Sequence, residues 1–151
     1  MRISTKGEYG VRAMLELALA YGDGPIPLKI VAERQGISEP YLEQLMAILR
    51  KAGLVQSVRG AQGGYELAQA PEATPVGDIV RALEGPVSPM ECVQHPTSVE
   101  LCGHVTRCAV QVLWQRLAST MNQVLDSTTL ADLVHETQRL QARTGGYVYQ
   151  I

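Results

Sequence analysis

At 151 residues the chain has the length of one domain on a prior of roughly 100–200 residues each, and a composition of 46% hydrophobic and 19% charged residues excludes compositional disorder. Phe is absent, so Leu, Val, Ile, Ala and Met must fill the core; no apolar run approaches the ~18 residues of a membrane span. The net charge of −2 is uneven: residues 1–60 hold eight Lys/Arg against six Asp/Glu, residues 61–151 five against nine, a pattern compatible with a nucleic-acid-contacting front half on an acidic body.

The opening MRISTKGEYGVRAML lacks the apolar stretch and cleavage site of a secretory leader. A cytoplasmic setting is therefore expected, where the three cysteines stay reduced. Ser4 or Thr5 can cap a first helix, along which Tyr9, Val11, Met14, Leu15, Ala18 and Leu19 recur at helical spacing. GDGP at 22–25 ends it. Pro27 can open a short second helix with Ile30 and Val31 facing inward; Gly36 closes it, and Ile37 is placed to plug the turn. Ser38 caps a third helix carrying Tyr41, Leu42, Leu45, Met46, Ile48 and Leu49. Pro40 is tolerated there because a first-turn N–H has no intrahelical partner to lose.

Two helices joined by a tight glycine turn, the second polar at its start, describe a helix-turn-helix. LVQSV and YELA then read as short strands around the hairpin RGAQGG, a wing. TPVGDIVRALEG (74–85) reads as a further helix with Thr74 as candidate cap. The stretch 86–108, broken by Pro86, Pro89 and Pro96, reads as a loop that holds Cys92, Cys102 and Cys108. From about Thr106 onward Val110, Leu113, Trp114, Leu117, Met121 and Leu125 trace one helical face. A long amphipathic helix outside a compact head calls for burial against a second subunit. STTLADLVHE (127–136) gives a last short helix, and the tail RTGGYVYQI carries no signal.

The expected fold is mainly α with a small β-hairpin wing: a winged helix-turn-helix head plus a long dimerisation helix. Residues 1–85 form the DNA-binding domain with its supporting helices, 86–108 the cysteine-containing loop, and 109–151 the dimerisation helix and C-terminal helix and tail.

A recognition helix presents its first two turns to base edges in the major groove. Here those turns hold Ser38, Glu39, Tyr41, Glu43 and Gln44. Glu43 cannot bind phosphate; it is either a solvated charge or an acceptor for a cytosine amino group. Arg59 at the hairpin tip can enter a narrow minor groove, and the N–H groups of Gly60, Gly63 and Gly64 can reach phosphate oxygens. The same glycines could serve only the turn. Arg50 and Lys51 are phosphate neighbours by position, or helix C-terminal cations with a purely structural role.

The run ISEPYLEQLMAILRKAGLVQSVRGAQGGYELA resembles the IscR/NsrR-type family of winged-helix transcription regulators, as do MRISTKGEYGVRAMLELA, TPVGDIVRALEGP and CAVQVLWQRLASTMNQVLDSTTLADLV. The likeness spans roughly residues 1–136. It implies a homodimer that binds double-stranded DNA and pairs through its long helices, with Glu43 reading bases and Arg59 entering the minor groove. It does not imply an enzyme, and no nucleophile with base and oxyanion donors is evident.

The thiols are spaced C-x9-C-x5-C, and soft thiolates on a loop can wrap one iron–sulfur cluster. Cys92, Cys102 and Cys108 with His104 would also complete a Cys₃His zinc set, although the usual C-x2-C knuckle is missing. A disulfide switch between two of the three is a further option. The resemblance ranks these as iron–sulfur cluster, thiol switch, zinc. It also implies a sensor of iron–sulfur status, redox state or nitric oxide, and places Glu8 where some members supply a carboxylate ligand from the partner subunit; His104 is the equal local alternative as fourth ligand, with His95 behind both. The chain departs from the IscR-type pattern within that family in its longer first interval and in Gln111, which stands three residues after the last cysteine where that type has a histidine ligand.

Overall fold

A computed structural model describes residues 2–95 and 108–145. The elements run α1 (Thr5–Leu19), α2 (Leu28–Gln35), α3 (Glu39–Lys51), β1 (Val55–Val58), β2 (Gly64–Leu67), a 3₁₀ turn (Pro71–Ala73), α4 (Val76–Glu84), α5 (Glu91–Gln94), α6 (Ala109–Ser127) and α7 (Leu130–Gly145). This is a mainly helical chain with a two-stranded wing, as expected. Met14, Ala13, Leu17, Val31, Leu42, Leu45, Met46, Leu49, Ile79 and Leu130 are nearly or wholly buried in one cluster. The aliphatic core is built without phenylalanine. Burial of each leucine contributes about 1.5–3 kcal/mol.

The turn between α2 and α3 follows the sequence closely. Gly36 adopts φ +63°, the left-handed region where a Cβ is unfavourable. Ile37 then donates its N–H to the Ala32 carbonyl at 3.0 Å, and its side chain is buried. The strands pair antiparallel, Val55 with Leu67 and Val58 with Gly64. A third segment, unforeseen from the sequence, joins them: Ile26 bridges Tyr65 through two 2.9 Å backbone hydrogen bonds.

Three expected side-chain caps do not form: Ser38 occupies the N-cap of α3 without a side-chain capping hydrogen bond, and the other two are replaced. Ser4 occupies the N-cap position of α1, but its side chain does not cap the helix. Glu84, at the end of α4, does this from 77 to 80 residues away: its Oε1 accepts from Ser4 N at 2.8 Å, Ser4 Oγ at 2.6 Å and Gly7 N at 3.0 Å. Gly7 and Gly10 permit the approach, since a Cβ at Gly10 would overlap Leu83 and one at Gly7 would overlap Glu84. At α4 the N-cap is Pro75, because the Thr74 hydroxyl donates to the Ala70 carbonyl at 3.0 Å in the preceding turn.

The 86–108 segment, expected as a loop, carries the one-turn helix α5 after Ser88, whose hydroxyl donates to the Met90 carbonyl at 2.9 Å. The last helix is longer than expected and runs to Gly145. Its start is a reciprocal cap: Thr129 N and Oγ1 donate to Asp132 Oδ2, while Asp132 N donates to Thr129 Oγ1. These bonds hold the Asp132 carboxyl below its ordinary pKa, the Thr129 backbone N–H contributing most.

Helix α4 also holds α6. Arg81 pairs with Asp126 and Asp78 and donates to Asn122 Oδ1 at 3.0 Å. The hydrogen bond to Asp126 is the main reason its pKa is raised, against the opposing effect of burial. Asn122 in turn donates to the Val87 carbonyl at 3.0 Å, so the chain entering the cysteine segment is tied to α6.

Candidate nucleic-acid interface and cysteine site

The amphipathic pattern of α3 buries Leu42, Leu45, Met46 and Leu49, which leaves Glu43, Gln44, Ala47, Arg50 and Lys51 on its outer face. Ser38, at the N-cap, is exposed as well. Tyr41 differs: it is half-buried, and its ring meets Tyr9 edge-on with centroids 6.3 Å apart. Part of this side chain therefore serves to seat α3 on α1. Arg12 lies over the other member of the pair, 5.6 Å from the Tyr9 centroid, and donates to Gln35 Oε1 at 2.7 Å at the end of α2. That link between the first two helices left no periodic trace in the sequence.

Arg59 and Gly60 form the exposed hairpin tip, with Gly60 at φ +122°. The N–H of Gly63 is spent inside the turn, on the Gly60 carbonyl at 3.1 Å. Gly64 is required by crowding, because a Cβ there would run into the Ile26 backbone. Arg50 leans from the end of α3 toward β1, with Nη1 3.4 Å from Ser57 Oγ. Among the described residues, Arg50, Lys51 and Arg59 have no carboxylate within ion-pair distance, nor has Glu43 a cation. Among the described residues, helix and wing thus offer three cations, Arg50, Lys51 and Arg59, that no carboxylate neutralises, beside the carboxylates Glu39, Glu43 and Glu66, which no cation pairs.

The cysteine site is assembled from α5 and the start of α6. Cys92 lies in α5 and Cys108 at the N-cap position of α6, both half-buried free thiols. Gln111 connects them: its N–H donates to the Cys108 carbonyl at 3.2 Å, and its Nε2 to the Cys92 carbonyl at 3.3 Å. Cys102 and His104 lie outside the described residues. His95 is exposed just beyond α5. Glu8 is exposed on the first turn of α1, with Oε1 3.6 Å from Arg12 Nη1. Among the described residues no three His, Cys, Asp or Glu side chains converge as a metal site, so Glu8 does not join Cys92 and Cys108 within one chain.

A helix-turn-helix with a two-stranded wing and free cations on both defines a DNA-binding regulator. Residues 3–136 match the Rrf2 family, described as iron-dependent transcriptional regulators, and the chain belongs to that family. The transcriptional regulator CymR of Bacillus subtilis is 48% identical over 137 residues, 91% of this chain and 92% of that protein. IscR of Erwinia tasmaniensis is 44% identical over 93% of this chain and 82% of its own. Among solved structures, IscR of T. potens superposes with a TM-score of 0.76 at 48% identity, covering 93% of this chain and 91% of that one. CymR of B. subtilis, described there as the global cysteine regulator, follows with a TM-score of 0.73 at 47% identity over 90% and 98%. These relatives are transcription regulators, not enzymes, and this chain is a DNA-binding transcription regulator. Among the described residues no helix is long and apolar enough to cross a membrane.

Proposed function

We propose that the protein acts as a homodimer whose two heads grip successive major grooves of an operator, and that an iron–sulfur cluster on Cys92, Cys102 and Cys108 governs the affinity of that grip. The reading is carried by Gln111, whose hydrogen bonds to the backbone carbonyls of Cys92 and Cys108 hold the two cysteine segments together. Two half-buried thiols from separate helices suit a soft thiophilic group. The fourth ligand is the partner subunit's Glu8 or this chain's His104. The carboxylate of Glu8, exposed and outside any cluster with its own chain's Cys92 and Cys108, supports the first.

Dimerisation draws on α6, where Ala118 is the one buried residue while Val110, Leu113, Leu117 and Val124 expose 38–59% of their surface along one stripe. Beside it lies an apolar recess lined by Ile3, Val80, Val87, Met121 and Val124. A second copy of α6 covers such a stripe and orients two heads about one helical turn of DNA apart. Glu43 and Gln44 then face base edges, and Arg50, Lys51, Arg59 and the Gly60 N–H face the backbone and minor groove. Ser38 and the edge of Tyr41 border the same groove, with Gly63 and Gly64 shaping the wing. An iron–sulfur cluster supplies a centre sensitive to redox state and small reactive molecules. The residues around it contribute position: Asn122 fixes Val87 at the entrance of the segment, and α4 ties that point to α1.

Anaerobically purified protein should be coloured and contain stoichiometric iron and sulfide. A colourless protein free of iron would instead support a thiol–disulfide switch, and bound zinc would support the zinc site. The thiol reading draws on the CymR likeness, which includes an oxidised form from Staphylococcus aureus at 43% identity. On DNA, Arg59→Ala should weaken binding and lower the salt dependence by about one counterion. Glu43→Ala should relax base preference by roughly 1–3 kcal/mol at one position. Unchanged salt slope and discrimination would reject the interface.

A further inference from the structure

We propose that Gln111 is the positioning residue of the cysteine site, a clamp that fixes the Cys92 and Cys108 segments against each other by hydrogen bonding to both cysteine carbonyls. The inference deepens the proposed function and rests on it only for the group that the thiols hold.

Gln111 sits in the first turn of α6, where its backbone N–H has no intrahelical partner of the ordinary kind. It donates to the Cys108 carbonyl, so its backbone is anchored to one cysteine. The side chain spans to α5 and donates Nε2–H to the Cys92 carbonyl, 19 residues earlier in the chain. Helix α5 is a single turn; it packs against α6 and has no other long-range element partner of comparable extent among the described residues. A four-residue helix cannot hold its own place by hydrogen-bond cooperativity. The amide of Gln111 supplies a fixed attachment, half-buried and therefore only partly exposed to competition from water.

The chemistry of this residue also separates two roles. A histidine at this position would offer a lone pair to a metal. A glutamine uses its amide N–H on a carbonyl and leaves an amide oxygen, a poor partner for a thiophilic group. Gln111 thus acts on the site through the cysteine backbone and not as a ligand. The ligand set must then be completed from elsewhere.

The test reads the spacing without any cluster. In cluster-free, reduced Cys102→Ser protein, dibromobimane becomes fluorescent when it bridges Cys92 and Cys108. Gln111→Ala removes the side-chain contact. Gln111→Glu keeps its shape but cannot donate to the Cys92 carbonyl as a carboxylate. Both should lower the rate of bridging roughly two- to tenfold, the population change expected for one ordinary hydrogen bond, with helical content unchanged and the melting temperature lowered by no more than about 6 °C. Equal rates in all three chains would overturn the clamp. So would a Gln111→Glu chain that bridges as fast as the parent, because packing alone would then suffice. In parallel, chains with all three cysteines, reconstituted anaerobically, should lose iron faster when Gln111 is replaced. If the parent chain itself takes up no iron and sulfide, the cluster reading fails while the bridging rates still decide the clamp.

Discussion

Replacing Glu84 by alanine tests the packing of α1 on α4 most directly. One carboxylate oxygen takes the Ser4 N–H, the Ser4 hydroxyl and the Gly7 N–H, so the variant uncaps the first turn of α1 in a single step. Loss of an N-cap costs about 1 kcal/mol, with a range of roughly 0.5–2, and the negative charge at a helix N-terminus contributes about 0.3–1 kcal/mol more. The expected loss is therefore about 1–2.5 kcal/mol, or roughly 2–10 °C in melting temperature at this chain length. Urea and thermal unfolding followed by circular dichroism would measure it, at one fixed protein concentration because self-association shifts apparent stability. Glu84→Gln keeps an acceptor and loses only the charge, so it should fall between the parent and the alanine variant. A Glu84→Ala chain within ~0.5 kcal/mol of the parent, the range of a neutral surface substitution, would refute the capping argument.

Gly10→Ala pushes a methyl into Leu83. Overpacking of about 1–3 kcal/mol should outweigh the ~1 kcal/mol that alanine gains over glycine in a helix, and a raised urea midpoint would contradict it. Leu113→Glu together with Leu117→Glu places charges on the exposed stripe of α6; light scattering should then report monomers of unchanged helicity, whereas an intact dimer would exclude that stripe. Asp132 has a folded pKa below its unfolded value, so its cap stabilises α7 fully above the ordinary carboxylate pKa and is lost as pH falls through the lower, folded one. Asp132→Asn should flatten the acid limb of the stability profile, and an unaltered limb in urea titrations would show that the cap is not felt.

The head was legible because its signals are local. Gly36 and Ile37 specify a turn within two residues, and Leu42, Leu45, Met46 and Leu49 repeat at the period of the helix they build. What escaped was carried by single residues meeting across long separations. Glu84 reads as an ordinary polar residue at a helix end, and nothing near it announces that its partner is Ser4. Ile26 pairs with Tyr65 as one residue before Pro27, too short for a strand period. Thr74 looks like a cap until the 3₁₀ turn before it takes the hydroxyl. At the cysteine site the spacing identified the thiols, but Gln111 registered only as the lack of a histidine. Its hydrogen bond to Cys92 depends on how two helices pack.

The bridge from Ile26 to Tyr65 bears on how such a protein can be switched. With β2 paired to β1 on one edge and to the α1–α2 connection on the other, and with Gly64 pressed against the Ile26 backbone, the wing is sewn to the body of the head at its base. Helix α3 and the wing therefore travel as one reading unit. Under the proposed function a signal has little leverage on the angle between them and works instead on how one such unit is aimed relative to another. Each head is a fixed stencil, and in the proposed dimer the adjustable quantity is the pitch at which two stencils are laid on the duplex.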